Sequence, residues 1–291
     1  MKKVVSVSIG SSSRNHRVET EILNEKYIIE RIGTDGDIKK AIKLIQELDG
    51  KIDAFGLGGI DLYLTGANKK FMIKEAIPIV QAASKTPIVD GYGIKNTWEK
   101  RVVEYLEQEN IIKLKGKKVL VVCAIDRYKM AEAFIHCGCD TILGDLIFAL
   151  GIPIPIRSLK MFRRVVDVLL PIVSKFPFDV LYPTGEKQEN NGPNKKFEKY
   201  YMDSDIIAGD YLYIKKHMPL FMHGKIIITN TVTQEDVEIL KSRGVKLLIT
   251  STPEYEGRSF GTNVMEAVLV AASGKKPEEL DADDYLDLIK K

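Results

Sequence analysis

The residues best suited to catalysis lie in one glycine-containing segment, Asp90-Gly91-Tyr92-Gly93-Ile94-Lys95-Asn96-Thr97. It places an acid, a lysine and an amide close together. A lysine near a carboxylate can move a proton at a carbinol oxygen if burial lowers the pKa of its ammonium group. We therefore expect Lys95 and Asp90 to be catalytic and Asn96 to contact the substrate. The alternative is that Lys95 is solvated and that Asn96 and Thr97 cap the next helix.

A second group of residues could hold a nucleotide cofactor. A buried strand at 117–123 leads into the turn Cys123-Ala124-Ile125-Asp126-Arg127-Tyr128-Lys129, where a dinucleotide-binding unit would read G-x-G-x-x-G. Arg127 and Lys129 could compensate for the missing glycines by pairing with phosphate. Asp145 ends the next strand about 20 residues further on, where an acid bonds a ribose hydroxyl of NAD. NADP stays open as well, and so does an ordinary exposed turn.

The ends of the later strands supply further candidates, because ligands of open α/β sheets bind beyond the carboxyl ends of the strands. The segment 229–233 is rich in hydroxyl and amide groups, and 250–253 follows the next strand. The predicted cofactor-binding residues are Ala124, Asp126, Arg127, Lys129, Asp145, Asn230, Thr231 and Thr250. A plain threonine-rich turn is the alternative for Asn230 and Thr231.

Polar residues after the first strand suit a polyhydroxylated carboxylate. The segment 11–17 combines serines with two arginines and a histidine, and Arg258 is a second candidate for binding a carboxylate. The predicted substrate-binding residues are Ser11, Ser13, Arg14, His16, Asn96 and Arg258. A solvated turn at 11–17 is the alternative.

Strands and helices that alternate along the chain must position these residues. We predict strands at 4–9, 26–32, 53–59, 87–90, 117–123, 140–145, 178–182, 205–210, 225–230 and 246–250. Helices are predicted at 38–48 with Asp37 as cap, 73–84, 98–109, from 130, 158–174, 234–242, 263–272 and 277–291, and a polar loop at 185–199. This alternation predicts an α/β fold with mainly parallel sheets. We expect two α/β domains, residues 1–113 for the substrate and a Rossmann-like domain at 114–291 for the dinucleotide.

The composition is that of an ordinary globular protein. The 291 residues are 45% hydrophobic and 29% charged, and 43 basic against 40 acidic residues give a net charge of +3. This near-balance gives no argument for nucleic acid, and no apolar run reaches the ~18 residues of a membrane span. We therefore expect neither as a partner, and a small anionic substrate instead. A homodimer is left open.

The cysteines favour a cytoplasmic location. Cys123, Cys137 and Cys139 are odd in number, and no secretory signal precedes the first strand. We expect buried thiols rather than ligands of a metal, because no fourth ligand has suitable spacing.

The sequence as a whole resembles the bacterial quinate 5-dehydrogenases, a group near the shikimate and quinate dehydrogenases. Segments 31–38, 55–64 and 257–268 carry the similarity, which runs nearly end to end. Ser11-Ser12-Ser13 is faintly similar to the Ser-x-Ser substrate motif of shikimate dehydrogenases. The run at 93–98 is similar to their G-x-N-T-D motif, with Trp98 where their catalytic Asp lies.

The resemblance implies an NAD(P)-dependent oxidoreductase that transfers a hydride to or from a small hydroxy or keto carboxylic acid, similar to quinate or shikimate. Lys95 would move the hydroxyl proton, helped by Asp90, while Arg14 or Arg258 holds the carboxylate. The turn without glycines keeps a second function open, a non-redox small-molecule-binding or sensor protein with a degenerate Rossmann-like domain. A lyase or transferase that acts on an anionic substrate without a cofactor is a third.

Overall fold

A computed structural model describes residues 1–65, 70–173 and 196–290. Its strands are β1 (Lys2–Ser8), β2 (His16–Ile22), β3 (Glu25–Gly33), β4 (Ala54–Gly58), β5 (Tyr63–Thr65), β6 (Lys70–Met72), β7 (Ile88–Val89), β8 (Lys118–Val121), β9 (Asp140–Leu143), β10 (Ile206–Ala208), β11 (Ile226–Thr229), β12 (Leu247–Thr250), β13 (Glu254–Tyr255) and β14 (Arg258–Ser259).

Its helices are α1 (Ile38–Leu48), α2 (Ile77–Gln81), α3 (Tyr92–Asn96), α4 (Trp98–Gln108), α5 (Tyr128–His136), α6 (Asp145–Phe148), α7 (Leu159–Val173), α8 (Glu198–Met202), α9 (Tyr211–His217), α10 (Gln234–Ser242), α11 (Thr262–Ser273) and α12 (Ala282–Lys290). Short 3₁₀ turns lie at Ser12–Arg14, Lys74–Ala76 and Pro277–Glu279. No helix in this part of the chain is long and apolar enough to cross a membrane.

The first sheet has the strand order β2-β3-β1-β4-β7. Its strands are parallel except for β2, an edge strand antiparallel to β3. Because the side chains of a strand alternate between the two faces, β1 buries Val5 and Val7 against α1 and α2 on one face. Val4 packs with α11 on the other face. Both faces are therefore covered, as parallel strands require.

The last two helices thus pack on the first sheet, although they follow the second sheet in the chain. Val264 and Val268 of α11, with Tyr285 of α12, belong to the same buried cluster as Val4 and Ala54. This packing brings the N-terminal end of α11 to the edge where the strands of the first sheet end. The domain boundary between residues 113 and 114 stays a prediction.

The second sheet has the strand order β12-β11-β10-β8-β9, and all its pairs are parallel. Helices α4, α5 and α7 cover one face, and α8, α9 and α10 cover the other. From β9 the chain passes back beyond β8 to β10, so the order reverses at β8 and opens a crevice beyond its end. The predicted fold class, two α/β domains with a Rossmann-like second one, is confirmed.

Many predicted elements are close to the observed ones. Asp37 caps α1 by accepting from the Lys40 N–H, and α10 has the predicted bounds. The segment 11–17, for which a solvated turn was the alternative, is not a turn throughout, since β2 begins at His16. The helix predicted at 73–84 is only a 3₁₀ turn followed by the short α2. The strand predicted at 178–182 and residues 185–195 of the predicted loop lie outside the described residues.

Close packing at Gly91 fixes the start of α3, the helix that carries Lys95. Gly91 has a φ of +94°, which favours glycine. A Cβ placed there would lie 2.8 Å from the Asn263 nitrogen and would also contact Thr262. Helix α3 therefore packs against the first turn of α11 with no room for a side chain at this position.

We predict that Gly91→Ala destabilises the protein more than Gly274→Ala. Gly274 also has a positive φ, +66°, but an added Cβ there has no described atom within 4 Å. The two variants share the backbone strain, so their difference reports the steric overlap, ~1–3 kcal/mol. Chemical denaturation measures both free energies of unfolding, and equal losses would contradict the close packing.

Candidate functional site

A cleft of about 400 Å³ lies between the two sheets, beyond the carboxyl ends of their strands. This is where ligands of parallel α/β sheets bind. Loops of the first sheet and segment 90–96 form one wall. The ends of β8, β9, β10 and β11 form the other, with Asp126, Asp145, Asp210 and Asn230 among its residues.

Lys95 bridges the two walls of the cleft. Its Nζ lies 2.6 Å from Asp61 Oδ1 and 2.6 Å from Asp126 Oδ1. Asp61 follows β4 of the first sheet, and Asp126 is in the turn after β8 of the second. The Lys95 side chain is only 11% exposed, so solvent screens these ion pairs weakly.

The charges of this cluster set which group can exchange a proton. Burial lowers the pKa of Lys95, but the charges of Asp126 and Asp61 outweigh it and hold that pKa above its usual range. The condition stated for proton transfer by Lys95, a pKa lowered by burial, is therefore not met. Burial together with the Asp126 and Asp90 charges raises the pKa of Asp61 to about 6 against the opposing effect of Lys95. Of the two carboxyls that pair with Lys95, Asp61 is thus the one that changes protonation close to neutral pH.

Asp126 stays ionised over the whole neutral range. Burial raises its pKa, but the charges of Lys95 and Arg127 outweigh that effect and hold the pKa at about 2. Two carboxylates that share one ammonium therefore differ, because Asp126 also has the guanidinium of Arg127 beside it at 2.9 Å.

Asp90 lines the cleft but does not pair with Lys95. Its Oδ2 accepts from the Leu62 N–H at 2.7 Å and its Oδ1 from the Tyr92 N–H at 3.1 Å. It therefore connects the loop that carries Asp61 to the start of α3. Asn96 also lines the cleft, and its Nδ2 donates to the Tyr92 carbonyl at 2.8 Å.

The turn after β8 is held by Asp145. The Ala124 N–H donates to Asp145 Oδ2 at 3.0 Å, and the Ile125 N–H donates to Oδ1 at 2.9 Å. In a glycine-rich turn, N–H groups at this place bind the pyrophosphate. Here the carboxylate of the chain itself takes both of them. Burial nevertheless raises the pKa of Asp145 to about 6, although these hydrogen bonds oppose the shift.

Arg127 is buried in a network of acids and an amide. Its guanidinium pairs with Glu99, with Asp126 at 2.9 Å and with Asp210 at 3.6 Å. With the Asn230 amide oriented to suit its neighbours, Asn230 Oδ1 accepts from Arg127 Nη2 at 3.0 Å. Arg127 is 3% exposed, and these buried carboxylates balance its charge.

A dinucleotide pyrophosphate does not fit this turn. Two backbone donors are taken by Asp145, Arg127 is neutralised by buried acids, and Lys129 pairs with Glu132 at 2.8 Å. The carboxylate of Asp126 would repel phosphate as well.

Some of the predicted cofactor-binding residues line the cleft and others do not. Asn230 and Thr231 line the cleft, as do Asp126, Arg127 and Asp145. Ala124 and Thr250 are not among its lining residues, and neither is Lys129. The Thr231 carbonyl accepts from Arg14 Nη2 at 2.6 Å, which connects the β11 end to the first domain.

Of the substrate residues predicted outside segment 90–97, only Arg14 lines the cleft. Ser11 and Ser13 share a hydrogen bond of 2.8 Å between their hydroxyls. His16 Nε2 lies 3.2 Å from the Tyr255 carbonyl oxygen. Arg258 Nη1 donates to the Arg14 carbonyl, so Arg258 supports the segment that carries Arg14.

Sequence reasoning missed several residues of the site. Asp61, Asp210 and Arg31 line the cleft, and Glu99 binds Arg127 from behind the turn. The strand-end rule places Asp61 and Asp210 at or just beyond the ends of predicted strands, but neither was assigned a role from the sequence. Arg31 and Glu99 lie inside regular elements, and nothing in the local pattern separates them from surface charges.

The comparisons with known families cover nearly the whole chain. Residues 93–291 match the family described as Domain of unknown function (DUF8754). The chain belongs to this family. Residues 3–90 match a second description, Domain of unknown function (DUF8753). No curated protein matches the sequence.

Solved structures with partial similarity include three enzymes. The chain is 10% identical to a hetero-hexameric glutamate dehydrogenase from Thermus thermophilus, covering 99% of this chain and 73% of that one at a TM-score of 0.43. The chain is 12% identical to shikimate dehydrogenase from Aquifex aeolicus, covering 100% of this chain and 98% of that one at a TM-score of 0.33. It is 12% identical to the NAD-dependent malic enzyme from Thermotoga maritima, covering 99% of this chain and 83% of that one at a TM-score of 0.32. Likeness at this level transfers neither an activity nor a ligand to the DUF8754 chain.

We predict that Asp145→Asn flattens the dependence of stability on pH. The folded pKa of Asp145, about 6, lies above its ordinary value of 3.8, so the folded protein binds more protons than the unfolded chain between these values. The contribution of Asp145 to stability is therefore present at low pH and lost as the pH rises to about 6. Urea denaturation across this window measures the slope. An unchanged slope in the variant would contradict the raised pKa.

Proposed function

We propose that the cleft is the active site for acid–base chemistry on a small hydroxy- or keto-carboxylic acid. The observation that carries the proposal is the Lys95 ammonium held between Asp61 and Asp126 at the wall of the cleft. Buried titratable groups with strongly shifted pKa values cluster at functional sites, and here Asp61, a partner of Lys95, has a pKa of about 6.

Each residue of the cluster has a distinct part in this chemistry. An ammonium has three N–H donors, and two of those of Lys95 point at Asp61 and Asp126. The third donates to a substrate oxygen and stabilises negative charge on it. The proton of a substrate hydroxyl leaves toward the Lys95–Asp61 pair, and Asp61 takes it up in its carboxylate form. In the reverse direction Asp61 returns the proton to an oxyanion.

Asp126 and Asp90 position the pair. Asp126 keeps Lys95 charged, while Asp90 fixes the Asp61 loop through the Leu62 N–H. Arg14, which also lines the cleft, is the candidate for binding the substrate carboxylate. A substrate that spans from Arg14 to Lys95 carries its carboxylate at one end and its reacting oxygen at the other.

A second candidate is the narrower reaction, NAD(P)-dependent hydride transfer on a quinate- or shikimate-like acid. The reversal of strand order at β8 and the acid at the end of β9 favour it, since dinucleotides bind at such a place. The turn held by Asp145 opposes it. A proton acceptor at a carbinol oxygen would serve this reaction as well, so the roles of Lys95 and Asp61 do not depend on the cofactor.

We predict that Lys95→Gln and Asp61→Asn each lower kcat/KM by ~10²- to 10⁴-fold, the usual contribution of a general acid or base. The full-length protein is incubated with a panel of hydroxy and keto acids, alone and with NAD or NADP, and conversion is followed by proton NMR. Lys100→Gln is the matched control, because Lys100 is a surface lysine of α4 paired with Glu104. The wild-type rate should rise with pH through about 6, and Asp61→Asn should lose that inflection.

Conversion at the wild-type rate by Lys95→Gln would overturn the proposed function. Failure of the wild-type protein to convert any acid of the panel while it still binds one of them would favour the non-redox binding protein.

We predict that millimolar NAD and NADP leave the thermal transition of the wild-type protein unchanged. A ligand at 100 times its Kd stabilises a protein by ~2.7 kcal/mol, which a thermal-shift assay resolves. Asp145→Ala frees the Ala124 and Ile125 N–H groups and should respond more than the wild type. A clear shift of the wild-type protein would instead support the hydride-transfer reaction.

A further inference from the structure

Three arginines converge on the segment that follows β1. Arg14 belongs to this segment and lines the cleft. Arg31 also lines the cleft, and its side chain donates to the Ser11 carbonyl at 3.0 Å. Arg258 donates to the Arg14 carbonyl. We call Arg14, Arg31 and Arg258 the arginine cluster.

The carboxylates near the arginine cluster do not balance its charge. Arg14 pairs with Asp236 at 2.9 Å, but Asp236 also binds Lys215 at 3.0 Å. In the described parts of the chain, no carboxylate lies within 4.0 Å of the guanidinium of Arg31 or Arg258. Among the described residues, the hydrogen-bond acceptors of Arg31 are uncharged and include Ser8 Oγ at 2.9 Å. The cluster therefore has an excess of positive charge.

Burial makes this excess costly. Arg31 is 8% exposed and Arg258 is 4% exposed. Burial and the Arg14 charge lower the pKa of Arg31 to about 10 against the opposing charge of Asp35. Burial and the two other arginines lower the pKa of Arg258 to about 9 against the opposing charge of Asp236. Both stay protonated at neutral pH. A buried ion without a counter-ion is unfavourable, so an anion bound here would stabilise the protein.

Two further features add to the positive charge beside the cleft. Within the described structure, Arg258 Nε and Nη2 have no hydrogen-bond partner, although both atoms are buried. Helix α11, twelve residues long, begins at the cleft wall with Thr262 and Asn263 and has no side-chain cap at its start. The positive end of its dipole adds to the field of the arginines.

We infer that the arginine cluster and the start of α11 form a site for the carboxylate of a small organic acid. The planar fork of a guanidinium matches a carboxylate. Asp61, Asp90 and Asp126 line the same cleft and repel a phosphate, which concentrates up to two charges on one group, more strongly than a carboxylate group, which carries one charge. The choice of an organic acid rests on the proposed function, whereas the charge imbalance does not. Arg31 binds the carboxylate together with Arg14, and Arg258 positions Arg14 and supplies charge.

Malonate and inorganic phosphate are the probes, each titrated at constant ionic strength and followed by calorimetry and by the thermal transition. We expect the wild-type protein to bind malonate more tightly than phosphate. Arg31→Gln should weaken malonate binding at least about tenfold, as expected when hydrogen bonds to a charged group are lost. Arg31→Lys keeps the charge but loses the fork, and it should give an intermediate affinity.

Arg17→Gln is the matched control, since Arg17 lies on β2 and is exposed beside Glu19. It should bind malonate as the wild type does. Arg258→Met should weaken malonate binding without lowering the thermal transition of the free protein, because it removes a buried charge that lacks a counter-ion. A merely structural Arg258 would give a lower transition and unchanged malonate affinity.

Three results would overturn the inference: no malonate binding by the wild-type protein, equal binding by Arg31→Gln and the wild type, or tighter binding of phosphate than of malonate. Lys95→Gln separates this inference from the proposed function, because it should lose turnover and still bind malonate. Malonate binding that depends on Arg31, with no acid converted, would leave the site in place and remove the proposed reaction.

Discussion

The arrangement of the cleft depends on one ammonium group shared by two carboxylates. Asp61 comes from the first sheet and Asp126 from the second, and Lys95 lies 2.6 Å from both. Without the lysine, two carboxylates would face each other across a poorly solvated gap, which like charges do not tolerate. The same ion pairs keep Lys95 charged, and the unequal surroundings of the two acids leave only Asp61 able to titrate near neutral pH. The ion pairs of Lys95 therefore determine both the arrangement of the cleft and its candidate chemistry.

Much of the fold follows from local sequence patterns. The capped helix after Asp37 and the apolar strand before Cys123 are determined by neighbouring residues, and both were predicted close to their observed place. The edge strand β2 was missed because its alternating polar residues also suit a turn. The packing of α11 on the first sheet was missed for another reason, since it joins residues more than 200 positions apart and no local pattern records such a contact.

The candidate site also combines residues that the sequence pattern indicates with contacts that form only in the folded chain. Lys95, Asp126, Asp145 and Arg14 were found because strand ends converge in α/β folds. Their partners were not, because a partner is a property of the folded chain. Asp145 has the position of a ribose-binding acid, yet its carboxylate binds the turn of its own domain. Arg127 has the type of a phosphate-binding residue, yet buried acids already neutralise it. Residue type and spacing therefore indicated where chemistry could occur and not which ligand is bound.

The most direct measurement of the central claim is the titration of the Asp61 carboxyl by ¹³C NMR. The account predicts a pKa of about 6 for this group, with a further rise in Lys95→Met because the cation that opposes the shift is then absent. An Asp61 pKa near the ordinary value of 3.8 that does not respond to the loss of Lys95 would contradict the account.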